Sequence, residues 1–411
     1  MGVHRFSAIA PILAILYSLG FTNLFLRSSF GVMAPDLARE MALEPAALST
    51  VASAYFFAYA VMQVPTGMLL DRFGPRRTIA TLLLFAAAGT ALFATGTSST
   101  TLTIGRLLMG LGCAGVFTGA FYVLNQWLQP DKLVTHVGGL NSFAALGNLC
   151  ATTPFAVLIA WIGWRESYWI LTVLIAGLLL AVAVLLRDAP SGRPAVSSEP
   201  EGLRKALAGV VEAVRQQGMK RLLIAGLPMS TASTIAGVWG APYLKDVHAL
   251  DDIGRGNVLL LMAACAIAGH FLHGQLARRL NTIRGMILAG SAAILLATTT
   301  LAALERPPLI LVTALFCLIG VSGAYPALTH AHARGLVPAH LIGRGVSVTN
   351  MGVMTAAAFM QLAFGWIVGA FAQTGGVSPE QAFRAAFAAQ ATATLLAIAI
   401  YAPIRDVRPR G

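Results

Sequence analysis

Charge is scarce in this chain. Only 11% of its 411 residues are Asp, Glu, Lys or Arg, while 57% are hydrophobic; an ordinary soluble domain carries about 25% charge and about 45 to 50% apolar residues. That balance excludes a water-soluble globular protein and calls for a lipid bilayer. Acidic residues are scarcer than basic ones, 16 against 28, for a net charge of +12. Such an excess suits nucleic acid only when it forms a patch, and here the basic residues sit between apolar runs, so no nucleic-acid partner is expected. Cysteine is rare as well. Cys113, Cys150, Cys265 and Cys317 fall inside apolar runs without metal-ligand spacing, and read as small buried residues; neither a metal nor a cofactor is expected. A cleavable leader is also missing: the apolar stretch after His4 and Arg5 is too long for a signal-peptide core and lacks a cleavage site, so it is expected to be retained as a first span.

What the chain has in quantity is apolar stretches of about 20 residues, each long enough for a hydrocarbon core of about 30 Å. Cutting them at charge, Gly and Pro clusters predicts an all-α membrane protein of twelve spans, at 9–34, 48–70, 78–96, 101–127, 137–162, 166–186, 221–244, 256–276, 284–303, 308–331, 345–372 and 381–403. With the N-terminus inside, most of the Lys and Arg, among them Arg72, Arg76, Arg77, Arg278, Arg279 and Arg284, fall on that side. Basic residues are retained in the cytoplasm, so both ends are expected there, in an inner membrane.

The longest polar stretch, 187–220, lies mid-chain and opens on a Pro- and Ser-rich segment, as expected of a tether. It divides the chain into an N-terminal bundle, 1–186, and a C-terminal bundle, 221–411. Its second part places Leu203, Leu207, Val210, Val211 and Val214 on one helical face beside Arg204, Lys205 and Arg215. That pattern fits a short helix on the membrane surface, or an ordinary solvated linker helix. The two bundles repeat each other. Ala34-Pro35-Asp36-Leu37 and Ala241-Pro242-Tyr243-Leu244 stand at one separation of 207 residues, and Gly67, Arg72 and Arg77 fall on Gly274, Arg279 and Arg284 at the same separation. An agreement of two loops at one shift points to a duplicated six-helix unit, the architecture of alternating-access carriers.

Between the second and third spans the chain reads Gly67-Met68-Leu69-Leu70-Asp71-Arg72-Phe73-Gly74-Pro75-Arg76-Arg77. A small Gly67 lets helices approach, Gly74 permits a tight turn, and Asp71 ends a helix among arginines. The segment resembles the cytoplasmic motif A of the major facilitator superfamily, and Arg106-Leu107-Leu108-Met109-Gly110-Leu111-Gly112 is similar to that family's fourth-span pattern of Arg followed by spaced glycines. The resemblance implies secondary transport through a central path between pseudo-symmetric six-helix bundles. It also implies a latch of Gly67, Asp71, Arg72, Gly74 and Arg77, with Asp71 near the N-terminus of the eleventh span, where the helix dipole favours negative charge by about 0.3 to 1 kcal/mol. In the second copy Arg278 replaces the acidic residue, so the latch is expected on one half only.

All 16 acidic residues can be placed in loops or at span ends. A proton-coupled carrier of this composition would have to titrate a histidine, with His270 and His330 the intramembrane candidates, or the peripheral Asp36 or Glu166. A lone intramembrane His equally serves as a helix-to-helix hydrogen bonder. Two cations, by contrast, are embedded: Arg27 in the first span and Arg106 in the fourth, each costing about 2.5 to 3.5 kcal/mol to insert. By helix rise they lie roughly 12 Å and roughly 8 Å from the outer ends of their spans and can share one layer. In this architecture both spans line the cavity, which makes an organic anion the expected solute. Arg27 is also compatible with snorkelling and Arg106 with a structural role. The stretch from Ala54 to Pro65, with Tyr59 in it, is similar to the second span of the anion:cation symporters; the likeness implies a hydrogen bond from Tyr59 to solute, though helix packing explains that tyrosine as well. Asn23, one turn before Arg27, completes the candidate set. Where that group precedes the first-span Arg with an acidic coupling residue, this chain has Leu26.

The rival reading is an efflux antiporter for drugs or other lipophilic compounds. Its usual fifth-span pattern of glycines around a Gly-Pro pair is poorly matched by Gly147-Asn148-Leu149-Cys150-Ala151-Thr152-Thr153-Pro154. A membrane enzyme would need nucleophile, base or metal ligands clustered at one depth. His330 and His332, two apart on a helix, face apart, so no such activity is expected. The expected partners are therefore a small solute, the lipid bilayer and a coupling ion, for a monomeric carrier.

Overall fold

A backbone surrounded by hydrocarbon must satisfy its own N–H and C=O groups, and helices do so within one segment. The computed structural model describes residues 3–189, 202–374 and 378–408, and every regular element among them is helical. In chain order these are α1 (Val3–Glu40), α2 (Pro45–Ala94), α3 (Ser99–Cys113), α4 (Val116–Trp127), α5 (Pro130–Cys150), α6 (Thr153–Ile162) and α7 (Trp164–Leu185). Then come α8 (Leu203–Arg215), α9 (Met219–Ile224), α10 (Gly226–Thr234), a π-helical turn (Ile235–Trp239), α11 (Gly240–His248) and α12 (Asp252–Leu280). The chain ends with α13 (Arg284–Ala303), α14 (Leu309–Ser322), α15 (Pro326–Leu336), a 3-10 turn (Ala339–Leu341), α16 (Ile342–Gln373) and α17 (Pro379–Tyr401).

Ten stretches of the described residues are long and apolar enough to cross a membrane, and the pair α5 and α6, bent by 45°, makes an eleventh. The twelfth is hidden in α2. Its 50 residues would run about 75 Å as one rod, more than twice a bilayer core. Gly74 sits inside it at φ 78, ψ 164, outside helical geometry, and the Thr78 hydroxyl donates to the Leu69 carbonyl, 2.9 Å away. Those residues would be far apart on a continuous helix, so the chain turns back at Gly74 and α2 supplies two spans. The described residues thus form the expected twelve, with α3 and α4, the run from α9 to α11, and α14 and α15 each a single broken span.

The repeat is visible in the turn itself. Asn281, 207 residues after Gly74, also holds a positive φ of 50. In both copies a carboxylate beyond the last helix of the bundle receives the backbone N–H groups that follow the turn. Asp188 Oδ1 accepts from the Arg76 N–H at 2.7 Å, and Asp406 Oδ1 from Ile283 and Arg284 at 3.1 and 2.8 Å. The arginine side chains close the same loop, Arg76 onto the Ala183 carbonyl and Arg284 onto that of Ile404. Asp406 lies outside the spans. Burial opposes its ionisation, but the Thr282 hydroxyl and the Arg284 and Ile283 N–H groups hold its carboxyl below the usual carboxylate range.

Most of the Pro- and Ser-rich tether lies outside the described residues. The helix expected after it does form, as α8, and meets α16 through its small residues. Ala206, Gly209 and Ala213 are buried, with Gly209 against Arg344 of α16, while Leu207 and Val211 are exposed. Small residues let the two backbones approach, and the larger apolar side chains are left pointing outward.

Candidate functional site

An even number of spans brings both ends of the chain to one face of the bundle, here the terminal face. At the opposite face the two bundles are packed against one another. A Cβ on Gly31 of α1 would strike the backbone of Ala236 in the π-helical turn, one on Gly365 of α16 would strike Ser49 of α2, and one on Gly256 of α12 would come within 3.0 Å of Thr153 of α6. Hydrogen bonds cross the same seam: Ser49 Oγ to the Gln361 carbonyl and Thr153 Oγ1 to Asn257 Oδ1, both 2.9 Å. So does an ion pair, Asp36 of α1 with the buried Arg255 of α12 at 3.9 Å, Arg255 pairing also with Asp252. Toward the terminal face the glycines tell the reverse. Gly67, Gly138, Gly274 and Gly343 have no atom within 4 Å of where a Cβ would stand. The molecule is therefore closed at the opposite face and loosely packed at the terminal one, with a further inter-bundle bond between, Asn350 to Gln63 at 2.9 Å.

Behind the closed seam lies a cavity of about 180 Å³, room for about six waters or one small solute. Its walls come from both bundles: Leu24, Arg27 and Ser28 of α1, Phe56 of α2, and Asn148 of α5 face Met229 and Ser233 of α10, Met262 and His270 of α12, and the break between α14 and α15. Broken helices at a cavity are the usual form of a carrier's binding layer, since irregular backbone in a bilayer is tolerated where it lines such a space.

Of the four residues expected to touch solute, the structure brings only Arg27 to the cavity. Its Nη2 donates to Ser233 Oγ of the other bundle at 2.9 Å, and its guanidinium carbon lies 5.3 Å from the Phe56 ring centre. No carboxylate is among the residues lining the cavity. Arg106 lies behind it in the same layer. It is 1% exposed, donates Nη1 to the Leu26 carbonyl at 3.1 Å, and rests against the rings of Tyr55 and Phe30 at 4.7 and 5.0 Å. Its Nε has no partner. In this conformation Arg106 braces α1 from the rear rather than lining the cavity. Asn23 likewise spends its amide on the Cys113 carbonyl at 2.6 Å, and Tyr59 is buried against Tyr55. Both tie helices within their own bundle.

The two candidate histidines separate in the same way. His270 lines the cavity, beside the break between α14 and α15. His330 is half-buried on α15 and is not among the lining residues. Of the latch residues, Asp71, Arg72 and Arg77 are exposed, Arg72 lying over the Phe73 ring at 5.2 Å. Gly74 is held twice over, by its positive φ and by Asp188, whose carboxylate lies 2.8 Å from where a Cβ would stand. Ser233, Asn148 and Ser28 were missed by sequence reasoning. One signal was available: the 207-residue repeat sets Thr234, the neighbour of Ser233, opposite Arg27.

The sequence model of the Major Facilitator Superfamily matches residues 16–360. The chain is 25% identical over 298 residues to a probable sulfoacetate transporter of Cupriavidus necator, covering 70% of this chain and 68% of that one. It is 26% identical over 309 residues to a probable galactarate/D-glucarate transporter of Bacillus subtilis, covering 64% and 66%. Among solved structures, a bacterial homologue of the human lysosomal transporter Spinster, in an inward-facing and occupied conformation, superimposes with a TM-score of 0.77 at 16% identity, covering 96% of each chain. That likeness is one of fold.

Proposed function

Since the chain belongs to the Major Facilitator Superfamily, we propose that it carries a small organic anion across the cytoplasmic membrane by alternating access, with Arg27 as the group that holds the anion. The observation that carries this is the Arg27 guanidinium on the wall of the inter-bundle cavity, answered by a serine hydroxyl and an aromatic ring but by no carboxylate. A cation left so in a bilayer costs about 2.5 to 3.5 kcal/mol, and an anionic solute that accepts paired N–H bonds offsets that cost. The two bacterial relatives, probable transporters of sulfoacetate and of galactarate/D-glucarate, support the same class.

Under this reading the terminal face is cytoplasmic, by its excess of Lys and Arg, and the conformation described is inward-facing. The moving bodies are the bundles 1–186 and 221–411, joined by 187–220, in a monomer. Asp71, Arg72 and Arg77 form a cytoplasmic latch that engages in the outward-open state; their exposure here fits a released latch.

The test is thermal stability of the purified protein in detergent with organic acids, sugar acids, amino acids, cationic dyes and neutral lipophiles, comparing wild type with Arg27→Ala. A compound at a hundred times its Kd, bound to the native state alone, adds about 2.7 kcal/mol. Stabilisation by anions alone, lost in folded Arg27→Ala, is the expected result. Equal stabilisation of both proteins by cationic or neutral lipophiles would overturn it in favour of drug efflux.

A further inference from the structure

We infer that His270 takes up one proton together with the anion, so that this carrier couples solute to a proton without an intramembrane carboxylate. The inference rests on the anion reading above and names how the same site is driven.

The cavity holds two groups able to bear positive charge, one on each bundle: Arg27 on α1 and His270 on α12. The remaining walls offer amide, hydroxyl, thioether and apolar groups, among them Asn148 and Thr152 from the α5 and α6 side, Ser233 and Met229 from α10, and Ala324 and Pro326 at the α14 and α15 break. The charged or titratable groups facing His270 are Arg27 across the cavity and His273 one turn along its own helix, which contacts the Tyr325 ring and the Gly269 carbonyl. Among the described residues, no acidic side chain lines this space. A proton that travels with the solute through this cavity therefore has His270 as its seat. His270 and Ala324, at the break between α14 and α15, line the same cavity wall, and a neutral imidazole there offers a ring nitrogen to a proton. Close packing of Gly269 on the Val321 backbone sets how near α12 lies to α14 at this depth.

The charge balance closes for a monoanion. Arg27 keeps its charge throughout, so the empty carrier, with His270 neutral, bears one positive charge in its binding layer. Loaded with a monoanion such as L-galactonate or nitrate and a proton it bears the same one charge, whereas a dianion such as sulfoacetate or D-glucarate with one proton leaves the layer neutral. With a monoanion the bundles then rock between faces without moving net charge through the membrane potential, which would otherwise oppose anion entry by about 2.3 kcal/mol per 100 mV. The proton comes from the outer solution with the anion and leaves with it inside. By linkage, an anion beside the imidazole favours its protonated form, and a protonated imidazole favours the anion, by the same factor.

The experiment is calorimetric binding of sulfoacetate, D-glucarate, L-galactonate and nitrate to the full-length protein, in buffers of different ionisation enthalpy, for wild type, His270→Gln and Arg27→Ala. The same proteins are then tested for accumulation of the bound anion in liposomes under an inward acid gradient. Wild type is expected to take up protons on binding, with Kd falling up to tenfold per unit of falling pH between pH 8 and 6. His270→Gln is expected to bind more weakly at pH 6, with no pH dependence and no proton uptake, and to exchange anion without accumulating it. Arg27→Ala should not bind. Proton-free binding to wild type overturns the coupling and leaves the anion reading standing, a result that needs no variant to fold. Gradient-driven accumulation by His270→Gln overturns it as well. Failure of all four anions to bind wild type overturns both.

Discussion

Replacing Asp36 with Asn should open the face that is sealed in this structure. Asp36 is the α1 end of the ion pair that crosses the seam to Arg255 at 3.9 Å. At an effective dielectric of about 20, two unit charges at that distance attract by about 4 kcal/mol. Arg255 retains Asp252, of its own helix, in the variant, and the desolvation of Asp36 is relieved, so the net loss to the closed state is about 1 to 2 kcal/mol. That is a shift of roughly five- to thirtyfold in the ratio of closed to open conformers, since 1.4 kcal/mol is a factor of about ten. Arg39 also pairs with Asp36, but its side chain is 73% exposed; Arg39→Ala should shift the ratio by less than threefold, as exposed pairs contribute at most about 1 kcal/mol and typically less. The assay is a distance distribution between spin labels on cysteines placed at Glu44 and Thr374, exposed positions on the two bundles at this face. The background replaces Cys113, Cys150, Cys265 and Cys317. Identical distributions for Asp36→Asn and its parent would refute the reasoning, and would mean that the glycine-packed seam alone sets the equilibrium.

Other outcomes follow from the same geometry. Arg106→Ala removes the Leu26 carbonyl bond and the contacts with Phe30 and Tyr55; it should cost about 2 to 5 kcal/mol of stability, as other large buried truncations do, while ligand still raises the melting temperature of the folded fraction. A folded Arg106→Ala that no anion stabilises would restore that arginine to the binding site. Gly74→Ala places a side chain at φ 78 and against Asp188, and should cost about 1 to 3 kcal/mol, read as a fall in melting temperature. Asp406→Ala removes the acceptor at the start of α13 and should cost about 0.5 to 2 kcal/mol. Because hydrogen bonds hold that carboxyl below the usual range when folded, its contribution is complete above the ordinary carboxylate range and is lost as pH falls through the lowered value. The difference in melting temperature between Asp406→Ala and wild type should therefore shrink in acid, and a constant difference down to pH 3 would contradict this account.

Much of the architecture was legible in the sequence because membrane insertion is decided locally. Twelve spans follow from apolar length, and the turn at Gly74 from a glycine between a helix-ending Asp71 and Pro75. The duplication follows from one repeated separation, at which Asn281 shares with Gly74 a positive φ. The carboxylates that close each bundle's loop were not legible. Asp188 and Asp406 stand more than a hundred residues from the N–H groups they receive, and they look like any other acidic residue at a span end. The linker helix was legible as a helix with an apolar face, and Leu207 and Val211 of that face are exposed; that Ala206 and Ala213 would be buried and Gly209 stand against Arg344 was not legible.

The same division runs through the binding layer. By itself the sequence determined that two arginines lie at membrane depth, that no carboxylate accompanies them, and that both belong to one layer, since depth along a helix is counted in residues. It could not determine which of them faces solute. A span that is apolar on every side carries no stripe to say which way it is turned, and the rotation of α1 and α3 comes from their packing within the bundle. That packing directs Arg106 against a backbone carbonyl and Arg27 toward Ser233 of the other bundle. Tertiary structure alone decided that one buried cation became a brace and the other a wall of the cavity.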